Sequence, residues 1–139
     1  MANAILRDRP ELIFVYNAES GLFHLLADAV HKMVRPETYP CRLCAVTYGA
    51  MGMRNEWREF LQRFGYPFDF LHRDELARRY GIADVALPAV FARRDERIRL
   101  WIEADAISRV RSLAELIELL ESRDSQLIAF SARAIPSTA

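Results

Sequence analysis

The stretch "FDFLHRDELARRYGIADVALPAVFARRDERIRLWI", residues 68–102, decides the fold, because it contains four predicted elements in succession. "FDFLH" has the length and the residue types of a strand, and "DELARRYG" predicts a short helix that Asp74 caps and Gly81 closes. "LPAVFA" and "RIRLWI" predict two more strands, and the charged turn "RRDE" between them is short enough for an antiparallel hairpin. Pro88 is expected at the start of its strand, where it interrupts no important ladder hydrogen bond.

The residues before this stretch predict one strand and two helices. "LIFVYN", residues 12–17, is an apolar run typical of a central strand that is covered on both faces. Apolar side chains recur at helical spacing over residues 22–34, which predicts an amphipathic helix. "NEWREFLQRF", residues 55–64, predicts a second helix that has Asn55 as its cap and ends at Gly65.

The residues after it predict one amphipathic helix and an irregular tail. "SLAELIELLES", residues 112–122, has Ser112 as its cap and Glu115 three positions later, which is the spacing of a capping box. Residues 123–139 are predicted to be irregular. The order of the elements predicts an α/β domain whose mixed central sheet has about four strands and helices on both faces.

Length and charge predict one soluble domain, residues 1–139, with an inserted helical segment at about residues 36–66. The formal net charge is zero, which provides no electrostatic reason to expect nucleic acid or anionic lipid as a partner. The charged start "MANAILRDRPELIF" does not have the apolar run of a signal peptide, and no stretch reaches the roughly 18 apolar residues of a membrane span. We therefore expect a cytoplasmic protein.

From residue 68 onward the pattern resembles the thioredoxin family. In that family a strand and a short helix lead through a "YGI" segment to a strand that begins with proline, then to a turn, another strand and a last helix. The matching positions here are Tyr80, Gly81, Ile82 and Pro88. With the opening strand and helix included, the resemblance extends over most of residues 11–122. It implies a thioredoxin-like three-layer α/β/α sandwich.

The chain departs from the family at the usual redox site. The family carries a Cys-x-x-Cys pair between the first strand and the first helix, where this chain has "NAES", residues 17–20. Its only two cysteines, Cys41 and Cys44, lie within "TYPCRLCAVTYG" in the inserted segment. The resemblance also implies a cis peptide bond between Leu87 and Pro88, and a docking role for the backbone of Leu87 beside the active site.

The cysteine pair admits three interpretations. In a redox pair, Cys41 would be the nucleophile and Cys44 the resolving thiol, since Pro40 favours the start of a helical turn whose N–H groups stabilise a thiolate. A metal site would need further ligands from His24, His31, His72, Met51 or Met53, and the first two histidines are too far apart on one helix to share an ion. Buried, inert cysteines are the third interpretation.

These observations lead to one functional hypothesis and one alternative. The hypothesis is a thiol-disulfide oxidoreductase or redox sensor that uses Cys41 and Cys44, with Leu87 and Pro88 at its docking groove. It needs no cofactor and no metal, its partner is a protein or small-molecule thiol or disulfide, and a homodimer is possible. The alternative is a redox-inactive binding module of the same fold, in which the cysteines are structural.

Overall fold

The structure of the protein, a computed structural model, describes residues 9–17, 42–49 and 52–134. The strands are β1 (Glu11–Tyr16), β2 (Tyr48–Gly49), β3 (Gly52–Met53), β4 (Phe68–His72), β5 (Ala89–Arg94) and β6 (Arg97–Ile102). The helices are α1 (Arg42–Thr47), α2 (Asn55–Phe64), α3 (Arg73–Tyr80), α4 (Ala104–Ser108), α5 (Leu113–Ser122) and α6 (Asp124–Ala134). The helix predicted over residues 22–34 lies outside the described residues.

The central sheet contains four strands in the order β4-β1-β5-β6. β1 runs parallel to β4, with Tyr16 opposite His72, and antiparallel to β5, with Val15 opposite Ala89. β5 and β6 form the predicted antiparallel hairpin, and Asp95 in its turn has a φ of 56°, a conformation that aspartate tolerates better than most residues. The prediction of a mixed sheet with about four strands is therefore confirmed.

β1 is the central strand that its sequence predicts. Its residues from Leu12 to Tyr16 are all buried, and they alternate between the two faces of the sheet. Leu12, Phe14 and Tyr16 belong to a large cluster of buried side chains on one face, whereas Ile13 and Val15 belong to a small cluster on the other face. A strand that is apolar at every position is the one that can be covered on both sides.

The large cluster packs five helices against one face of the sheet. α2 contributes Trp57, Phe60 and Leu61, which lie on one side of the helix as the spacing predicts. The Trp57 ring meets Phe14 of β1 edge to face, with ring centroids 5.3 Å apart. The other helices that contribute to the large cluster are α1, α4, α5 and α6.

The small cluster lies under α3 on the opposite face. Leu76 is the buried residue of α3, and it packs against Ile13, Val15, Leu71, Ala89 and Phe91. Half-buried side chains from the end of α3 and the segment before β5 border the cluster, among them Tyr80, Ile82, Val85 and Leu87. Helices thus cover both faces of the sheet, as predicted.

The predicted helix caps are correct in one case and wrong in two. Ser112 caps α5, and its Oγ accepts a hydrogen bond from the Glu115 N–H at 3.2 Å, although the Glu115 carboxylate reaches the N–H of Arg111 rather than that of Ser112. The cap of α2 is Arg54 rather than Asn55, because Asn55 already belongs to the helix.

At α3 the helix begins at Arg73, so Asp74 lies inside the first turn and is not the cap. His72 is the N-cap, and Glu75 accepts a hydrogen bond from its backbone N–H at 2.9 Å. Gly81 closes α3 in the left-handed conformation, with a φ of 69°, as predicted.

The prediction of an irregular tail over residues 123–139 is wrong, because α6 extends from Asp124 to Ala134. Leu127 and Phe130 are three positions apart, so they face the same side of this helix and are both buried in the large cluster. Burial against the sheet stabilises a segment whose own helical pattern is weak. The short helix α4 was not predicted either.

The segment before β5 has the backbone geometry that the resemblance implies. The Leu87–Pro88 peptide bond is cis, and Pro88 immediately precedes β5. None of the described helices has the length and apolar character that a membrane crossing requires.

Candidate functional site

Three strands bring polar and reactive side chains to one end of the central sheet. β1 and β4 are parallel, so Tyr16 and His72, their last residues, lie side by side with ring centroids 6.0 Å apart. β5 runs in the opposite direction and starts at this end, where Ala89 is paired with Val15. Pro88, which precedes Ala89, is therefore at the same end of the sheet as Tyr16.

Helix α1 places Cys44 at this end. The helix has only six residues, as the nearby glycines predict, and it buries Leu43 and Val46 in the large cluster. Cys44 is half-buried and packs against the same cluster, to which Tyr16 of β1 belongs. Tyr48 follows the helix, and its ring lies edge-on to that of Tyr16 at 5.9 Å.

Three side chains with hydroxyl groups, Tyr16, Tyr48 and Thr47, lie in the neighbourhood of Cys44. Burial raises the pKa of Tyr16 well above its ordinary value, and the neighbouring Tyr48 and Cys44 add to the effect, because their ionised forms would repel a phenolate. Partial burial also raises the pKa of Tyr48. Thr47 is fully buried beside them and donates a hydrogen bond to the Leu43 carbonyl oxygen at 2.6 Å. Both phenols therefore stay protonated at neutral pH.

His72 and Glu75 form a second polar pair at the same end of the sheet. The Glu75 Oε1 atom lies 2.6 Å from Nδ1 of His72, and both side chains are partly buried. Partial burial opposes ionisation of Glu75, but the hydrogen bonds and charge of His72 outweigh it and lower the pKa of the carboxyl. The carboxylate therefore fixes the orientation of the imidazole next to Tyr16.

The sequence-predicted site residues are only partly described. Cys41 lies outside the described residues, and Cys44 is the resolving thiol of the hypothesis. Leu87 is half-buried and packs against the small cluster, whereas Pro88 is buried. Cys44 and Pro88 therefore approach the same end of the sheet, and the structure leaves the roles assigned to them as predictions.

The metal interpretation finds no support in residues 9–17, 42–49 and 52–134. Within these ranges no three side chains of histidine, cysteine, aspartate or glutamate come together in a way that would hold a metal ion. His72 is engaged with Glu75. The other two histidines of the metal hypothesis, His24 and His31, lie outside the described residues, as does Cys41.

Sequence reasoning overlooked the hydroxyl groups and the His72–Glu75 pair. The sequence pattern marks Tyr16 only as part of an apolar strand, although it is the last residue of β1, whose carboxyl end faces the site. The spacing of His72 and Glu75, three positions apart across a helix start, is the available signal for the second pair.

We compared the chain with models of protein families, with curated proteins and with solved structures. None of them matches it.

Proposed function

We propose that the protein has a thioredoxin-like fold and acts as a thiol-disulfide oxidoreductase through Cys41 and Cys44. The order β4-β1-β5-β6 supports the fold, together with a parallel β1–β4 pair, a helix between β4 and β5, and an antiparallel β5–β6 hairpin followed by helices. This is the arrangement that the resemblance implies. The opening helix of the family corresponds to residues outside the described part of the chain.

One observation carries the chemical part of the proposal. Cys44 lies beside Tyr16 at the carboxyl end of β1, which is the end of the sheet where Pro88 leads into β5. The thiol pair has moved along the sequence relative to the family pattern, yet Cys44 stays at the end of the sheet where that pattern places the redox site. The half-burial of Cys44 suits a resolving thiol, because such a thiol needs to reach only its neighbour.

The reaction follows the usual course of thiol-disulfide exchange. The Cys41 thiolate attacks one sulfur of a partner disulfide, a mixed disulfide forms, and the other partner sulfur leaves as a thiolate. The Cys44 thiolate then attacks the Cys41 sulfur, which releases the second partner thiol and leaves a Cys41–Cys44 disulfide. The partner gains two electrons and the cysteine pair loses two. A dithiol or other thiol reductant restores the pair.

The neutral phenols beside Cys44 support its role as a thiolate. Tyr16 and Tyr48 keep their O–H groups at neutral pH, since their pKa values are raised. A hydroxyl that donates a hydrogen bond to a thiolate stabilises the ionised form. Tyr16 donates its own O–H to Tyr48, so the two phenols lie beside Cys44 as one hydrogen-bonded pair.

Trapping of the mixed disulfide tests the proposal. We expect Cys44→Ser, incubated with glutathione disulfide, to accumulate a mixed disulfide at Cys41 that mass spectrometry detects, because no second thiol resolves it. Cys41→Ser is the matched control and should react far more slowly. Alkylation of the wild type against pH should show a midpoint well below about 8.5, the value of an ordinary thiol. Equal reactivity of the two variants, or an ordinary midpoint, would contradict the proposal.

A second candidate function is a binding module in which the cysteines are structural. The packing of Cys44 against the large cluster, between the buried Leu43 and Ala45, favours it. In that case the thiols react only after denaturation, the wild type has no reductase activity, and Cys44→Ala lowers the free energy of unfolding. The alkylation experiment without and with denaturant separates the two functions.

A further inference from the structure

β6 is an edge strand of the central sheet formed by the described residues. β6 is the last strand of the central sheet, and no strand among residues 9–17, 42–49 and 52–134 pairs with its outer side. Along such an edge alternate residues direct their N–H and C=O groups away from the sheet. An extended segment of another chain can pair with these groups, which gives binding energy without any particular side chain.

A groove runs beside this edge, between β6 and α6. Its volume is about 220 Å³, and apolar side chains form most of it. The lining residues that matter here are Arg99, Leu100, Trp101, Leu127 and Phe130. Leu100 is 47% exposed, one of the two large apolar side chains of the described residues that are exposed to this degree. Leu100 is paired with Phe91 of the small cluster, so its exposed side chain offers an apolar contact on the other side of the strand edge from Arg99.

Two arginines give this surface a positive charge. The Arg97 guanidinium lies over the Phe130 ring, 5.9 Å from its centroid, and Arg99 lines the groove. Neither forms an ion pair with a described residue, and no carboxylate lines the groove within the described part of the chain. Arg93 and Arg123, by contrast, are held by carboxylates at 3.0 and 2.8 Å. The charges of Arg97 and Arg99 are therefore exposed, and no carboxylate among the described residues neutralises them.

We propose that β6 and the groove bind an extended, acidic segment of a partner protein, which adds to the sheet as a further strand. Its carboxylates lie against Arg97 and Arg99 on the side of the sheet that faces α6, and its alternate apolar side chains lie on the other side, next to the exposed Leu100. A second copy of this chain is a poorer occupant than an acidic segment, because a β6–β6 pair places four arginines on two short neighbouring strands and brings no carboxylate from β6 to neutralise them. This proposal does not depend on the function proposed above.

Fluorescence polarisation with designed probes tests the charge preference. The probe is a labelled, blocked peptide of about ten residues that alternates glutamate and valine, and the matched probe carries lysine in place of glutamate. At low ionic strength we expect the wild type to bind the acidic probe at least about tenfold more tightly than the lysine probe. The expected ratio is modest because each exposed ion pair contributes only a small part of the binding free energy. The variant Arg97→Glu/Arg99→Glu should reverse the preference. Arg63→Glu/Arg111→Glu changes the net charge equally at exposed sites elsewhere and should leave it unchanged.

Two further measurements test the strand pairing itself. An acidic probe that is N-methylated at one set of alternate amides should lose binding, whereas the probe methylated at the other set should keep it, because only one set faces β6. Amide hydrogen exchange over Arg97–Ile102 should slow when the acidic probe is added.

Four results would overturn the proposal. They are equal affinity for the two probes, no effect of the Arg97→Glu/Arg99→Glu variant, equal binding of the two methylated probes, and a wild-type dimer in sedimentation that this charge reversal dissociates. The last result would assign the surface to a second copy. Thermal melting of each variant confirms that it is folded before binding is measured.

Discussion

The two faces of the central sheet differ in both size and chemistry. The large cluster brings five helices against one face and includes aromatic side chains from strands and helices alike, such as Phe14 and Trp57. The small cluster is mainly aliphatic and is covered by α3, through Leu76. Cys44, Tyr16 and their neighbours belong to the large cluster, so the candidate site shares its packing with most of the core.

Because of this difference, some substitutions should change the stability of the protein without changing the surroundings of Cys44. A change in the large cluster disturbs the surroundings of Cys44, because Phe14, Phe70 and Tyr16 form a continuous row of ring contacts that leads to Tyr48. A change in the small cluster acts from the opposite face. Substitutions on the two faces of the sheet therefore test this separation.

Trp57→Ala should have the largest effect, a loss of about 3–5 kcal/mol in the free energy of unfolding, because it leaves a large cavity among rings that cannot close around it. Trp57 is fully buried, and its ring also stacks on Phe60 at 5.9 Å. Urea denaturation measures the loss. Trp57→Phe is the matched control and should cost much less, since it keeps a ring and removes an indole N–H that has no hydrogen-bond partner in the described residues. Equal losses for both variants would contradict this account.

Leu76→Ala should cost about 2–3 kcal/mol, at the lower end for a buried leucine, because half-buried neighbours such as Ile82 and Val85 can move into the space. The alkylation rate of the native cysteines should stay at the wild-type value, since Leu76 lies on the face away from Cys44. Denaturation and alkylation on the same sample check both statements. A changed alkylation rate in the folded variant would mean that the two faces are coupled.

Tyr66→Phe should cost about 1–2 kcal/mol, the typical loss for a partly buried hydrogen bond to a charged group. The Tyr66 hydroxyl donates to Oδ1 of Asp124 at 2.5 Å, and this bond attaches the start of α6 to the segment before β4. The ring itself, which Arg9 covers at 5.2 Å, is kept in the variant. Faster amide exchange in the first turn of α6 would accompany the loss. Unchanged stability would show that apolar packing alone holds α6.

The smallest effect concerns the Arg123–Glu103 ion pair at the end of β6. Hydrogen bonds from Arg123, at 2.8 and 3.1 Å, lower the pKa of Glu103 from about 4.5 to about 2. A lowered carboxyl pKa contributes stability that is present above about pH 4.5 and is lost as the pH falls through about 2. The side chain is about half exposed, so the contribution is at most about 1 kcal/mol.

Glu103→Gln tests this by denaturation at several pH values. The variant should be less stable than the wild type at pH 7 and should approach it near pH 2. A constant difference across this range would show that the hydrogen bonds matter and the charge does not. Because the pair is exposed, added salt should reduce the difference at pH 7.

Much of the fold follows from local pattern. The bounds of β4, β6 and α2 agree with the stretches quoted for them, and β1 is a central strand because its uninterrupted apolar run suits only burial on both sides. Glycine and serine also mark helix ends correctly at Gly65, Gly81 and Ser112. These features depend on neighbours a few residues away, so the sequence contains the information directly.

Helix α6, in the C-terminal tail, and the candidate site could not be predicted from local sequence pattern. α6 has a weak helical pattern of its own, and it is stabilised by burial of Leu127 and Phe130 against distant strands. The caps of α2 and α3 lie one and two residues before the expected ones. Arg54 makes no side-chain capping hydrogen bond at α2, and His72 and Glu75 form the capping box at α3.

By itself, the sequence determined the order of the four strands of the central sheet, its mixed character and the covered central strand, because periodic burial and turn residues act over short distances. Only the tertiary structure decided that Cys44, Tyr16, Tyr48 and His72 meet at one end of that sheet. Their meeting depends on the parallel register of β1 with β4 and on the packing of α1, which join residues far apart in the chain. Long-range register is set by the core as a whole, and no short segment encodes it.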